Sequence, residues 1–111
     1  MPAPEELDDE FAEIGEFVRR IQARGGAVVF LRMPSSGGRL ALEEEYHPKV
    51  KYWDRLATTT RGICVHWTDV GMNGRELKCP DDSHLDYRDT ARFTDALVDV
   101  LSKQGLFAPP Q

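Results

Sequence analysis

Ala27-Val28-Val29-Phe30-Leu31 is a run of five apolar residues with no alternation. A strand with one face in water alternates apolar and polar side chains, whereas a strand covered on both faces does not. The run therefore reads as a central strand of a parallel sheet with helices on both sides. Parallel neighbours need long crossover connections, usually helical, and the flanking sequence supplies them. From about Leu7 to Ala23, residues Leu7, Phe11, Ile14, Val18 and Ile21 recur at spacings of three and four and share one helix face. Acids crowd the start of this helix and Arg19, Arg20 and Arg24 its end, in keeping with the helix dipole. Gly25-Gly26 stops it.

Beyond the strand, Met33-Pro34-Ser35-Ser36-Gly37-Gly38 reads as a loop, and Leu40 to Glu45 as the start of a helix that His47-Pro48 breaks. Val50 to Ala57 reads as a second short helix, and Ile63-Cys64-Val65-His66-Trp67 as a second strand. Residues 71–83, with Gly71, Gly74, Pro80 and Asp81-Asp82, are loop-like. A last helix is expected from about Tyr87 to Gln104, with Phe93, Ala96, Leu97, Val100 and Leu101 as its apolar stripe, Asp86 as N-cap and Gly105 as stop. The order helix-strand-helix-strand-helix predicts an α/β fold, part of a three-layer, flavodoxin-like parallel-sheet architecture with right-handed crossovers. The 111 residues suit one such domain, with residues 1–6 and 107–111 as frayed tails.

Charge and hydropathy exclude several function classes. Nineteen acids against fourteen bases leave a net charge of -5, which disfavours a polyanion partner such as nucleic acid or an anionic membrane. No apolar run approaches the roughly 20 residues of a membrane span. The acidic start, Met-Pro-Ala-Pro-Glu-Glu, is not a signal peptide, so the chain as written reads as cytoplasmic.

The residues most suited to chemistry lie in Cys79-Pro80-Asp81-Asp82-Ser83-His84-Leu85-Asp86. Acyl transfer needs a histidine base, and a carboxylate must fix the tautomer of its imidazole and stabilise the imidazolium. An acid three residues before a histidine, on a loop ahead of a helix, brings both to one place. The plain alternative is that Asp81 and Asp82 cap a turn and His84 lies on the surface. Ser35 and Ser36 follow a strand, where α/β enzymes often place active groups. Their surroundings are not those of a nucleophile elbow, and a flexible substrate-side loop is the expectation. Cys64 and Cys79 read as free thiols, the first in the core of a strand. In an exported parent protein they could instead form a disulfide that staples the loop to the strand. Cys64, His66, Cys79 and His84 lack zinc-ligand spacing, so neither a metal nor another cofactor is expected. His66 reads as a half-buried, satisfied histidine, and His47 as a loop residue. Tyr46, Tyr52 and Trp53 read as packing between helix and sheet, and Glu43-Glu44-Glu45 as a solvated helix face.

Pro80-Asp81-Asp82-Ser83-His84-Leu85-Asp86, followed by Phe93-Thr94-Asp95-Ala96-Leu97, resembles the last block of the SGNH/GDSL hydrolase superfamily. That block has Asp, two residues, His and Leu, then a helix with Phe-Thr-x-x-Leu near its middle. The Gly-Gly helix end, the strand Val28–Leu31 and Met33-Pro34 look like the family's penultimate helix–strand unit. Trp53 to Leu56, Gly62-Ile63 and Asp69 look like the segment that leads to its catalytic loop. The likeness spans roughly Phe11 to Leu106 and is nearest to the cell-envelope branch, which acts on acylated carbohydrate. It implies His84 as general base and Asp81 as its orienter, with Asp82 and Ser83 at variable positions. The family's Gly-Asp-Ser nucleophile motif does not occur in the chain, and neither do the blocks that carry its oxyanion glycine and asparagine. The resemblance thus implies the C-terminal half of an esterase or acyltransferase, inactive alone, that acts with a missing N-terminal segment or partner chain. It would then sit in the cell envelope if the parent protein is exported. A second expectation is a non-catalytic α/β domain. Two parallel strands leave open edges, which a second copy or a protein partner could complete.

Overall fold

In the computed structural model, residues 2–70, 77 and 79–106 are described. Helix α1 runs Asp8–Ala23 after a 3-10 turn at Pro4–Leu7. Strand β1 (Val29–Arg32) follows, then α2 (Gly37–Tyr46) and α3 (Trp53–Thr60). Strand β2 (Ile63–His66) leads through a 3-10 turn at Trp67–Asp69. A further 3-10 turn at Tyr87–Asp89 opens α4 (Thr90–Lys103). The predicted loop glycines Gly71 and Gly74 and the tail 107–111 lie outside the described residues. Strands β1 and β2 pair in parallel as a two-stranded sheet, which makes this a small α/β arrangement.

The chain divides into two compact units, one of Met1–Leu31 with Leu42–Cys64, the other of Arg32–Ala41 with Val65–Gln111. In the first, α1 packs on α3. Val18 and Thr60 are fully buried, and Gly15 faces α3. The Thr60 hydroxyl donates to Leu56 O at 2.9 Å and so satisfies itself within its own helix. Arg55 holds Asp8 with both arms of its guanidinium, at 2.6 and 2.8 Å, which ties the start of α1 to α3. Arg61 ends α3 in the left-handed region at φ 58°. The Ile63 N–H donates to Val28 O at 2.9 Å and sets the register between the strands. In the second unit Val65, Val70, Cys79 and Phe93 form the buried apolar set, with Ser35, Asp86 and Asp89 buried among the polar residues.

The expectations for β1 and α2 change, and α3 lies at Trp53–Thr60, later than Val50 to Ala57. Strand β1 is not covered on both faces among the described residues, because Val29 and Leu31 remain 37% and 36% exposed. A strand with one hydrogen-bonded neighbour presents a face and an edge that a larger sheet would cover. Helix α2 begins at Gly37, not near Leu40. Glycines are poor helix formers; Gly37 opens the helix from a left-handed backbone, φ 59°, and the Gly38 N–H donates to a carboxylate distant in sequence, described below.

A Cβ at Gly15 would stand 3.3 Å from Thr59 O and 3.4 Å from Thr60 Cα, both backbone atoms of α3. Gly15→Ala should leave stability nearly unchanged, because a gain in helix propensity of roughly 1 kcal/mol offsets this tight contact. Gly15→Leu should cost about 1–3 kcal/mol by prising the helices apart. Urea unfolding of both variants checks this, and equal midpoints would show that α1 and α3 do not meet closely at Gly15.

Candidate active site

The candidate residues lie on the stretch that leads into α4. Pro80 and Asp81 occupy a turn closed by the Asp82 N–H donating to Cys79 O at 2.9 Å. Asp82 then takes a left-handed backbone, φ 65°. This reversal brings the next two backbone N–H groups onto the Asp81 side chain. Ser83 N donates to Asp81 Oδ1 at 3.1 Å, and His84 N donates to the same oxygen at 2.7 Å. The other carboxylate oxygen, Oδ2, lies 2.7 Å from His84 Nδ1. Asp81 and His84 are thus brought together as the spacing suggested.

An ionised carboxylate only accepts hydrogen bonds, so this contact places a proton on His84 Nδ1. The neutral imidazole then carries its lone pair on Nε2, the nitrogen a general base needs. Nε2 has no hydrogen-bond partner among the described residues, and the His84 side chain is 83% exposed. The Ser83 hydroxyl, 3.1 Å from Nδ1 and 3.5 Å from Asp81 Oδ1, braces the same side of the ring. It therefore faces the wrong nitrogen to serve as nucleophile. Hydrogen bonds from the His84 ring and from the backbone of His84 and Ser83 hold the Asp81 carboxyl at about 2, below its ordinary 3.8.

An open cleft of about 410 Å³ adjoins the pair, lined in part by His84, Leu85, Tyr87 and Arg88. Tyr87 is 82% exposed, and the Arg88 guanidinium lies 5.8 Å from its ring centroid. Asp86 caps the turn at Tyr87–Asp89 by accepting from Arg88 N at 2.9 Å, and it binds the Arg88 side chain at 2.8 and 3.1 Å. The expected N-cap is therefore present, one short turn ahead of α4. A second cleft of about 470 Å³ lies in the first unit beside Asp8, Asp54 and Arg55. There Arg55 is neutralised by Asp8, and Asp54 is held by Lys49 at 2.9 Å. That cleft offers no imidazole, thiol or lone carboxylate for chemistry.

The Ser35–Ser36 loop, expected on the substrate side from its composition, is tied to the stretch that precedes Asp81. Ser35 is buried, and Ser36 exchanges hydrogen bonds with Cys79, its hydroxyl donating to Cys79 O at 3.2 Å and accepting from Cys79 N at 3.3 Å. Sequence reasoning missed this role, because a Pro-Ser-Ser-Gly-Gly string carries no sign of its partner. Cys64 and Cys79 are free thiols. Burial raises the Cys79 thiol against a weaker opposing effect of Ser36, and the charges of Asp81 and Asp82 raise it further. Burial and the charge of Asp54 raise Cys64. Neither is poised as a thiolate. Among the described residues no group of three His, Cys, Asp or Glu side chains could hold a metal ion. His66 Nδ1 lies 2.8 Å from the Thr68 hydroxyl, and the His66 backbone N–H donates to Asp69 Oδ2 at 3.0 Å, a satisfied histidine at a turn.

Compared with protein-family models, curated proteins and solved structures, the chain has no match. Among the described residues no helix is long and apolar enough to cross a membrane.

The Asp81 carboxyl is depressed in the fold, so its contribution to loop stability is complete above its ordinary 3.8 and disappears as pH falls through about 2. Carboxyl carbon NMR should give Asp81 a midpoint near 2, with the Ser83 and His84 amide signals moving in the same step. A midpoint at 3.8 would mean that this carboxylate does not hold the loop.

Proposed function

We propose that the chain is the base-bearing, C-terminal portion of an SGNH-type esterase or acyltransferase, with the three-layer parallel-sheet architecture of that superfamily. The observation that carries the reading is the 2.7 Å contact between His84 Nδ1 and Asp81 Oδ2, set in a Pro-Asp-Asp-Ser-His-Leu block that leads into α4. In this reaction Nε2 of His84 takes the proton of an attacking hydroxyl as that oxygen bonds to the ester carbonyl carbon. It then returns the proton to the departing alkoxide. Asp81 keeps the imidazole in the tautomer that makes Nε2 the base and stabilises the cation formed midway.

The substrate class is an ester or an acylated carbohydrate. The chain contains no Gly-Asp-Ser motif, so the reading assigns the nucleophile and the oxyanion donors to a further segment or a partner chain. Without them little rate enhancement remains. The place of action is the cytoplasm, or the cell envelope within a longer exported protein. Mixing the folded chain with a segment bearing the nucleophile and oxyanion blocks should give hydrolysis of a chromogenic acetyl ester. His84→Ala should lower that rate about 10²–10⁴-fold. A folded complex with no activity, or with equal rates for both chains, overturns the reading.

A second reading is favoured by one separate observation, the 37% and 36% exposure of Val29 and Leu31 on a strand with a single paired neighbour. On this reading the domain is non-catalytic and completes its sheet against a second copy or a protein partner. Light scattering coupled to size exclusion should then report a mass above 12.6 kDa that rises with concentration. A cooperative monomer at every concentration excludes self-association.

A further inference from the structure

We propose that Ser36 and Asp82 are positioning residues, and that the Ser36-Gly37-Gly38 turn is the bracket that holds the Asp81/His84 loop in its working shape. The inference rests on the reading of His84 as a general base. Asp81 and His84 are mostly in water, with side chains 59% and 83% exposed, so packing does not fix them. The loop is instead held at its base. Ser36 Oγ donates to Cys79 O and accepts from Cys79 N, which clasps the first residue of the turn from both sides of its backbone. The Ser36 N–H donates to Asp82 O at 3.0 Å, at the end of the same turn. The Cys79 thiol reaches Pro34 O at 3.6 Å.

The Asp82 side chain closes the arrangement from the other direction. Its Oδ2 accepts from Gly38 N at 3.2 Å and so serves as a cap for the start of α2, from more than forty residues away in sequence. A Cβ at Gly37 would collide with the Asp82 carboxylate, and Gly37 itself stands at φ 59°. Only glycine admits the carboxylate there. Asp82 sits at φ 65°, a left-handed backbone that aspartate and asparagine tolerate better than other side chains. The sequence Ser-Gly-Gly and the second aspartate of Pro-Asp-Asp are therefore two halves of one device. Its output is the direction of the Asp81 carboxylate, and through it the tautomer of His84. A base must be held within about 0.5 Å of its productive place.

The test uses the whole chain and two NMR readouts, the Asp81 carboxyl titration and the nitrogen-15 shifts that report the His84 tautomer. In the wild-type chain Asp81 should titrate near 2, and the neutral imidazole should carry its proton on Nδ1. In Ser36→Ala and Asp82→Ala, Asp81 should move upward by roughly one unit, and His84 should become a mixture of tautomers. Loss of the Asp82 charge by itself would move Asp81 downward, so a rise reports lost geometry. Asp82→Asn keeps the acceptor for Gly38 N and tolerates the left-handed backbone, and should restore both readouts. Asp82→Gly removes the cap while easing the backbone, so it serves if Asp82→Ala fails to fold, and it should show the same rise as the alanine variant. A wild-type Asp81 near 2 with folded variants that leave both readouts unmoved overturns the bracket and spares the base pair. A wild-type Asp81 at 3.8 overturns the base pair and the bracket with it.

Discussion

The left-handed backbone at Asp82 is the constraint on which the second unit's chemistry turns. It reverses the chain just after Asp81, so the amides of Ser83 and His84 point back at the Asp81 carboxylate instead of into water. The same reversal swings the Asp82 carboxylate toward Gly38 N at the start of α2. One unusual φ therefore serves two neighbouring carboxylates. The first becomes the acceptor for the imidazole, and the second an anchor to another part of the chain. A residue in the usual right-handed or extended region would send at least one of them elsewhere.

The sheet supplies a contrasting constraint. A two-stranded parallel pair lacks the neighbours that normally bury both faces of such strands. β2 is the better protected of the two, with Val65 only 1% exposed, while β1 leaves Val29 and Leu31 partly in water. The apolar run that so strongly indicated a central strand is therefore accurate about what the residues require. Within the described residues neither strand meets that requirement in full: on β2 only Val65 is buried and its neighbours are half-buried, and β1 is covered still less. This gap between sequence demand and observed cover is what favours the second functional reading, in which further chain completes the sheet.

Much of the local structure was legible from the sequence. The stripe from Phe11 to Ile21 marked α1, Gly25-Gly26 and Gly105 marked helix ends, and Asp86 proved to cap the turn that opens α4. Those signals lie within a few residues of what they control. The Asp81–His84 pair was legible for the same reason, because its geometry is closed by bonds that span at most three residues. What escaped was whatever depended on distant partners. Gly37 and Gly38 read as loop because their cap, Asp82, is far along the chain. Ser36 read as mobile because its partner is the backbone of Cys79, which has no sequence signature. Helix α3 also sits later than expected, at Trp53–Thr60, because turns after Pro48 absorb the first residues of the apolar pattern and Arg61 extends its end with a left-handed cap.

The exposure of the pair decides what the loop contributes by itself. An ion pair in water has little energy to spend, since solvent screens it and competes for its hydrogen bonds. The low Asp81 value instead arises from hydrogen bonds at fixed positions, the His84 ring on one oxygen and the backbone of His84 and Ser83 on the other. Such an arrangement gives direction more than strength: it chooses the tautomer of His84 and aims Nε2 outward. Strong electrostatic catalysis also needs water excluded from around the reacting atoms, because the same dipoles act far more powerfully in a low-dielectric enclosure. With His84 83% exposed, that enclosure is not built by the loop. On the hydrolase reading, then, the segment that brings the hydroxyl and the oxyanion donors has a second task, to cover Nε2 and turn an aimed base into an effective one.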